Sequence, residues 1–453
     1  MDVRPLLRLA AIAVLVLATA LGLRAIRRWP ARRTSGLVAG TLAVLALAGF
    51  ALSTLDLLAP HAPVPDALSV YYIESGTLAA ASAATGTVRW RYTPPPGPVL
   101  QPLLDHGVFY LRTDGALRAL RARDGTPLWA APVEGRAEQQ QLPTADQGVV
   151  YATSAASVVA RRIADGSPLW QTSPSATPGS PTSAPHVANG RVYVAFNAAA
   201  GSVYALDARA GTIRWTHTEE QADATSLTVA DGSVYAAFGA RGTGVQPTTV
   251  VALNADDGAV RWTYTVEGDA DPLAVTNGVL VVSSRLLGLL ALDAASGSLL
   301  WQRGDLGLHG DLRNSPPPIV ADGVVYLSGV ISDGQHGVVL AQNARTGRER
   351  WRTVLDQYAD VYASLAGPML YVGGASEYGL RASDGHVVWR YGSRTQFYQP
   401  AVAAGVVFVG SGDVGFHLFG IGSNDFLNAL DARTGQLYWR TSFIGDDPLL
   451  VPS

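Results

Sequence analysis

The sequence predicts an all-β chain made of repeated antiparallel units. One pattern recurs nine times: alternating apolar residues, a turn ending in glycine, and a tryptophan four residues later, as in the VYALDARAGTIRW segment that ends at Trp215. Nine of the ten tryptophans hold this position: Trp90, Trp129, Trp170, Trp215, Trp262, Trp301, Trp351, Trp389 and Trp439. A rare residue in one fixed register indicates an internal repeat.

Each repeat carries signals for four strands. Apolar residues such as Tyr204 and Leu206 alternate before the glycine, which is typical of a strand with one buried face. A turn of the type Asn189-Gly190 precedes this strand, and a D-x-x-x-G turn follows it, because glycine accepts positive φ without steric cost. A four-stranded antiparallel unit that recurs every 38 to 50 residues predicts a β-propeller.

The number of blades follows from the first and last segments of the repeat region. The first unit shows strands at 70–73, 78–83 and 88–92 and no clear innermost strand, whereas eight complete units run from Val99 to Phe443. The tail 448–451 is expected to pair with the first unit and close the ring. We expect an eight-bladed propeller with the first unit as an accessory or closing element; the alternative is nine blades. The nine repeat tryptophans are expected to dock each blade against its neighbour.

The N-terminal region predicts membrane attachment. Residues 9–23 and 36–55 contain no charge, and the second segment is long enough to span a bilayer. Five arginines lie between positions 24 and 33, which favours a cytoplasmic loop between two transmembrane helices. We therefore expect a helical hairpin over 1–59, a proline-rich linker over 60–67 and a propeller over 68–453, held outside the cytoplasm of a bacterial cell membrane. The alternative is that the first segment is a signal peptide.

Composition excludes several classes of function. The chain has no cysteine, which removes disulfides, thiolate metal sites, cysteine nucleophiles and a lipidated N-terminal cysteine. All 33 basic residues are arginines, so lysine Schiff-base chemistry and a P-loop are excluded as well. The net charge of −3 and the lack of a basic stripe in the repeats give no indication of nucleic-acid binding.

The topology of a four-stranded meander predicts where a binding site would lie. The short turns follow the first and third strands, whereas the long connections follow the second and fourth strands and emerge together at the other face. The predicted long connections are 217–225, 237–249, 303–316, 329–337, 392–399 and 410–426. Loops of this kind usually carry function. The candidate binding residues on this face are Asp305, His309, Asp311, Arg313, Asn314, His336, Arg394, Asp413 and His417.

No motif in the sequence specifies a catalytic or metal centre. The histidines show no H-x-x-x-H spacing, and neither a D-x-D-x-D-G calcium loop nor a G-x-S-x-G elbow occurs. We therefore predict no catalytic residue, no bound metal and no cofactor.

The repeat V-x-A-L-D-A-x-T-G-x-x-x-W, over roughly 68–443, resembles that of the PQQ-type quinoprotein propellers and of the outer-membrane-assembly scaffold lipoprotein. The resemblance implies a propeller of this type. The dehydrogenases of this kind place adjacent cysteines over the quinone, and this chain has none. No local motif matches their calcium ligands or catalytic aspartate, and in place of a lipidated cysteine this chain has its two apolar segments.

These observations predict a membrane-tethered, non-enzymatic propeller that binds a protein or another cell-envelope component through its long connections. Two alternatives remain: an oxidoreductase that uses a quinone or a metal (PQQ and calcium would be the cofactors), and a ligand-sensing ectodomain.

Overall fold

The computed structural model describes residues 67–452 apart from 75, 95–101, 114, 135–140, 155, 175–178, 243–244, 285, 305, 307–317, 332–335, 356–361, 393–395, 413–424 and 444–450. The chain divides into two compact units, Met1–Pro63 and Val64–Ser453, and the described residues all belong to the second. The predicted transmembrane hairpin lies outside the described residues. Over the part of the chain that is described, no helix is long and apolar enough to cross a membrane.

The described strands form nine antiparallel sheets, one for each repeat. Blade 1 contains β1 (Ser69–Glu74), β2 (Thr77–Ser82), β3 (Val88–Tyr92) and the C-terminal β38 (Val451–Pro452). Blade 2 contains β4 (Leu103–Asp105), β5 (Val108–Thr113), β6 (Ala116–Arg121) and β7 (Pro127–Pro132). Blade 3 contains β8 (Thr144–Asp146), β9 (Val149–Thr153), β10 (Val158–Arg162) and β11 (Pro168–Thr172).

The next three blades contain the longest strands of the ring. Blade 4 contains β12 (Ser180–Pro181), β13 (His186–Ala188), β14 (Arg191–Asn197), β15 (Gly201–Asp207) and β16 (Ile213–Glu219). Blade 5 contains β17 (Ala222–Ala230), β18 (Ser233–Ala240), β19 (Thr248–Asn254) and β20 (Val260–Val266). Blade 6 contains β21 (Ala270–Thr276), β22 (Val279–Ser284), β23 (Gly288–Asp293) and β24 (Leu299–Arg303).

The last three blades repeat the same order. Blade 7 contains β25 (Ile319–Ala321), β26 (Val324–Val330), β27 (Gly337–Asn343) and β28 (Glu349–Val354). Blade 8 contains β29 (Tyr362–Ala366), β30 (Met369–Gly373), β31 (Glu377–Arg381) and β32 (Val387–Tyr391). Blade 9 contains β33 (Gln396–Phe397), β34 (Ala401–Ala403), β35 (Val406–Gly412), β36 (Asp425–Asp431) and β37 (Leu437–Phe443). In blades 4 and 9 two short segments pair with the second strand and together take the place of the first.

The turns between first and second strands explain the D/N-G pairs of the sequence. At Asn277 and Gly278, φ is +46° and +70°, and Asp322 and Gly323 have φ of +49° and +73°. Positive φ at both central residues defines the type I′ turn, which matches the twist of a two-residue hairpin. Asparagine, aspartate and glycine therefore recur here for a conformational reason.

The repeat tryptophan and glycine form one contact, made between neighbouring blades. Trp215 of blade 4 lies against the turn glycine of blade 5, Gly258, where an added Cβ would come within 2.7 Å of the indole. The same indole donates a hydrogen bond of 3.0 Å to the carbonyl of Ala255, three residues before that glycine. We call this arrangement the tryptophan clasp. Each of the nine repeat tryptophans donates in this way, to the carbonyls of Ala122, Ile163, Ala208, Ala255, Ala294, Ala344, Ala382, Ala432 and Ala83 in ring order.

The ring closes between blades 9 and 1. Trp439 donates to the carbonyl of Ala83 over 2.8 Å, and the buried cluster around Val70 and Tyr72 includes Phe408 and Leu427 of blade 9. The C-terminal β38 pairs with β1, with Tyr71 opposite Val451, which confirms that the tail pairs with the first unit.

The prediction of eight blades is wrong. The first unit differs from the others in the sequence because it lacks an innermost strand of its own. That strand comes from the far end of the chain, as β38, and blade 1 carries the clasp on both of its sides through Trp439 and Trp90. The protein is therefore an all-β propeller of nine four-stranded blades.

Candidate functional site

The connections at the two ends of the blades differ. Turns after first and third strands are short throughout, whereas the connections after second and fourth strands vary up to the span 304–318. Because the strands are antiparallel, all the variable connections lie at one end, which we call the long-connection face. The predicted loop 217–225 is an error, because β16 continues to Glu219 and β17 starts at Ala222.

Of the nine candidate binding residues, the structure describes His336 alone. His336 is half-buried directly before β27, and its carbonyl accepts a hydrogen bond of 2.9 Å from the Ile331 amide. The others lie outside the described residues: Asp305, His309, Asp311, Arg313, Asn314, Arg394, Asp413 and His417. Whether these side chains form one cluster remains a prediction.

Arg241 anchors the long-connection face where blades 4 and 5 meet. Its guanidinium donates to Asp223 Oδ1 at 2.9 and 2.6 Å and to the Ala198 carbonyl at 3.0 Å. A further bond reaches the Ala199 carbonyl. Since Ala198 and Ala199 belong to the connection between β14 and β15, one arginine fixes this connection to the following blade. Charge-assisted hydrogen bonds of this type are shorter and stronger than bonds between neutral groups.

The connection between blades 5 and 6 is held from both sides. Thr248 Oγ1 donates to the Gly268 carbonyl over 3.1 Å and accepts from the Ala270 amide over 3.0 Å. From blade 6, Ser284 Oγ donates to the Glu267 carbonyl over 3.0 Å. These bonds satisfy the backbone of 267–270 with side chains of the two flanking blades, so the segment is fixed rather than only tethered at its ends.

Two exposed apolar side chains meet over this fixed segment. Leu286 is 57% exposed and Val245 is 45% exposed. A Cβ placed on Gly268 would come within 2.9 Å of Leu286 Cγ and 3.3 Å of Val245 Cγ1, so both side chains border the same glycine. Most of the other exposed large apolar residues lie on fourth strands, at the rim. Val245 and Leu286 form the apolar pair, and an apolar surface on a rigid support favours contact with another protein.

A polar network joins blades 8 and 9 on the side of the long-connection face. Asn428 is fully buried; its Nδ2 donates to Ser411 Oγ over 2.9 Å, and its Oδ1 accepts from Arg440 Nε over 2.8 Å. Arg440 Nη2 also donates to the Tyr391 hydroxyl over 3.0 Å, and the Arg440 guanidinium lies 4.8 Å from the centre of the Phe426 ring.

Glu377 lies beside this network without joining it. Glu377 is 0% exposed and stands directly opposite Tyr391 in the pairing of β31 with β32. Neither carboxyl oxygen has a hydrogen-bond partner, and burial raises the pKa of the carboxyl well above its usual range. The corresponding residue of the other eight third strands is leucine or valine, for example Leu117 and Val250.

Sequence reasoning missed Arg241, Asn428 and Glu377, because each is an ordinary polar residue when read alone. Alignment of the repeats within the chain would have identified Glu377, since the third strands share one apolar position two residues before the partner of the tryptophan. Asn428 occupies the next position along the third strand of blade 9. At this position blades 3, 5, 6 and 7 carry Val159, Val251, Leu290 and Leu340. The departures from the repeat mark the positions that the fold does not require.

The described part of the chain holds no group of side chains that fits a metal ion. Over that part, no three histidine, aspartate or glutamate side chains converge as a metal site would need. Glu377 is a single carboxyl group enclosed by the hydrophobic contact of two blades, which does not fit a calcium ion that takes six to eight oxygen ligands.

The nine blades, the clasp and the turn chemistry define this protein as a PQQ-like β-propeller. The family model described as outer membrane protein assembly factor BamB matches residues 38–237, 199–358 and 335–449. Together these matches cover most of the chain, and the protein belongs to that family.

Other relatives share parts of the chain. The dehydrogenase subunit of the quinone alcohol dehydrogenase of Acetobacter aceti is 32% identical over 174 residues, 38% of this chain and 19% of that protein. The serine/threonine-protein kinase AfsK of Streptomyces griseus is 31% identical over 180 residues, 37% of this chain and 20% of the kinase. The chain thus spans about a fifth of the curated relatives it matches.

A solved europium-containing methanol dehydrogenase has the same kind of fold. Its TM-score is 0.52 with 14% sequence identity, over 70% of this chain and 83% of that structure. At this identity the likeness concerns the fold alone.

Proposed function

We propose that this protein is a non-enzymatic scaffold of the bacterial cell envelope, tethered to the membrane by its N-terminal segments and binding a protein partner through the long-connection face. The observation that carries the proposal is the apolar pair Val245 and Leu286, exposed above a connection that is hydrogen-bonded to both neighbouring blades. Membership of the BamB family supports a protein partner. The uncharged segments 9–23 and 36–55 support the tether.

The experiment is site-specific photocrosslinking of the full-length protein in intact cells. A photoreactive residue at Val245 or Leu286 should give one recurrent crosslinked protein. The matched controls are Ala210 and Ala295, which are exposed in third-to-fourth turns at the opposite end of blades 4 and 6. Crosslinks that are equally frequent from both ends, or absent from Val245 and Leu286, would reject the proposed face. Accessibility of the same positions to a membrane-impermeant label tests the extracytoplasmic location.

A second candidate function is a quinone-dependent oxidoreductase, which is favoured by the partial likeness to an alcohol dehydrogenase subunit. The melting temperature of the full-length protein would be followed with PQQ and calcium, alone and together. A saturable rise that Asp311→Ala and Arg313→Ala abolish would support the oxidoreductase. An unchanged melting temperature in both ligands would reject it and leave the scaffold.

A third candidate is a ligand-sensing ectodomain, favoured by the partial likeness to a protein kinase. In this sequence, the arginine-rich segment 24–33 would face the cytoplasm, where a signalling partner would bind. Copurification of a signalling enzyme with the full-length protein would support sensing.

A further inference from the structure

Arg112 is a buried cation in the contact between blades 2 and 3. It is 1% exposed and lies directly opposite Leu117 in the pairing of β5 with β6. Leu117 belongs to the apolar cluster that joins Tyr110 and Val133 of the blade 2 side to Val150 of blade 3. Residues paired across antiparallel strands project to the same face of the sheet. The Arg112 side chain therefore enters the apolar contact of the two blades.

The Arg112 guanidinium lacks any counter-charge in the described structure. Nε, Nη1 and Nη2 are buried, and none has a hydrogen-bond partner. Burial lowers the pKa of Arg112 to about 10, which leaves the group charged at neutral pH. A buried charge without a partner costs several kcal/mol, and an anion in contact would remove most of that penalty.

The fold itself does not require a cation at this position. In seven other blades, the pairing of the second and third strands shows which residue stands opposite the leucine or valine equivalent to Leu117. None of these seven residues is charged: Ile73, Thr153, Ala195, Ala237, Ser283, Ser328 and Gly410. Blade 2 is thus built like these seven blades. At the position where they carry an uncharged residue, it carries an unneutralised guanidinium.

The contact between blades 2 and 3 departs from the repeat at a second position, Tyr110, which lies two residues before Arg112 on the same strand face. Tyr110 is 0% exposed, and its hydroxyl has no hydrogen-bond partner. In blades 3, 4, 5 and 7 the equivalent tyrosine donates to the carbonyl that also accepts the clasp tryptophan, as Tyr193 does to Ala255 over 3.0 Å. In blade 2 that carbonyl belongs to Ile163, which receives Trp129 but not Tyr110.

We propose that Arg112 binds a monovalent anion between blades 2 and 3. One negative charge neutralises one guanidinium, whereas a phosphate dianion would bring excess charge into an apolar contact. A carboxylate fits best, because its two oxygens match the fork of the guanidinium; chloride is the other source of a single charge. Arg112 is the last residue but one of β5, so the anion enters from the long-connection face.

The direct test is equilibrium dialysis of radiolabelled formate and of chloride against the full-length protein in nonionic detergent, at an ionic strength held with sodium sulfate. We expect one saturable site per chain and a rise in Tm of about 3 °C at saturation. Tighter binding of formate than of chloride would identify a carboxylate site. Tighter binding of chloride than of formate would identify a halide site. Absence of saturable binding of either anion to the wild-type protein overturns the proposal, whatever the variants do.

Variants locate the site. Arg112→Ile, which introduces the residue found at the same place in blade 1, should abolish binding and the rise in Tm. Arg118→Ala is the control, because Arg118 is a neighbouring cation on β6 whose Nε donates to Thr113 Oγ1; it should bind as the wild type does. If Arg112→Ile does not fold, Arg112→Lys should still lose the preference for formate. Equal binding by wild type and Arg112→Ile would refute an anion at Arg112.

Discussion

The contacts between blades have two parts that behave differently. On the side of the short turns, the tryptophan clasp is the same nine times, from Trp90 on Gly125 to Trp439 on Gly86. Nearer the long-connection face, the residues differ from blade to blade: Arg112 and Glu377 stand where other blades carry uncharged residues, and Asn428 stands where blades 3, 5, 6 and 7 carry valine or leucine. The constant part explains how the ring holds together, and the variable part indicates where the chain departs from what the ring requires.

The largest effect should come from removing the constant part. Trp262→Ala leaves a cavity between blades 5 and 6 and should lower the free energy of unfolding by about 4 kcal/mol. Trp262→Phe keeps most of the aromatic side chain but loses the hydrogen bond to the Ala294 carbonyl. That carbonyl still accepts a hydrogen bond of 3.1 Å from the Tyr235 hydroxyl. This second substitution should cost about 1 kcal/mol. Chemical denaturation measures both. Equal losses would mean that the hydrogen bond, rather than the packing, dominates the clasp.

The glycine of the clasp gives the next largest effect. Gly258→Ala would place a Cβ within 2.7 Å of Trp215 at φ +74°, so backbone strain adds to a steric clash, and we expect a loss of about 3 kcal/mol. Gly232→Ala in the same blade is the control, since φ is +71° with nothing within 4 Å. Strain alone should cost about 1 kcal/mol there. Similar Tm values for the two variants would show that the indole yields to the new methyl group.

The clasp was predictable because it is formed by rare residues that recur at a fixed spacing in the sequence. Nine of the ten tryptophans occupy the repeat position, and the turn glycine adopts a positive φ that is unfavourable for other residues. Both positions can therefore be recognised without a structure. The number of blades was not predictable in the same way. Blade 1 completes its sheet with Val451 and Pro452, more than 350 residues away, and a two-residue strand carries almost no local signal.

The variable part was not predictable from residue types. Arg112 and Glu377 are charged residues, which from residue type alone are expected to face water. The strand register places both on the buried face, opposite Leu117 and Tyr391. The candidate residues chosen on the connections lie outside the described residues, except His336.

Glu377 allows the variable part to be tested by restoring the repeat. Glu377→Leu introduces the residue found at this position in several other blades and should stabilise the protein by about 2 kcal/mol at pH 5, because an unpartnered buried carboxyl is removed. The pKa of Glu377 is raised in the folded state, so the unfolded chain loses its proton first and stability falls as pH rises above the ordinary glutamate range. The advantage of the variant should therefore grow by about 1.4 kcal/mol per pH unit until the folded carboxyl ionises.

Glu377→Gln is the control for this titration, because it keeps the shape and removes the ionisation. Urea denaturation between pH 5 and pH 8 gives the comparison. A constant difference between Glu377→Leu and the wild type across this range would show that a partner in solution already compensates the carboxyl.

The smallest effect is expected where the chain closes the ring with a strand instead of a clasp. Deletion of residues 451–453 removes the pairing of Val451 with Tyr71 and leaves the bond from Trp439 to Ala83 intact. It should cost about 1 kcal/mol, the value of one or two backbone hydrogen bonds. Trp439→Ala is the matched variant at the same closure and should cost about 4 kcal/mol. If the deletion instead lowers Tm more than Trp439→Ala does, the short strand and not the clasp closes the ring, and blade 1 would be the one blade that depends on its first strand.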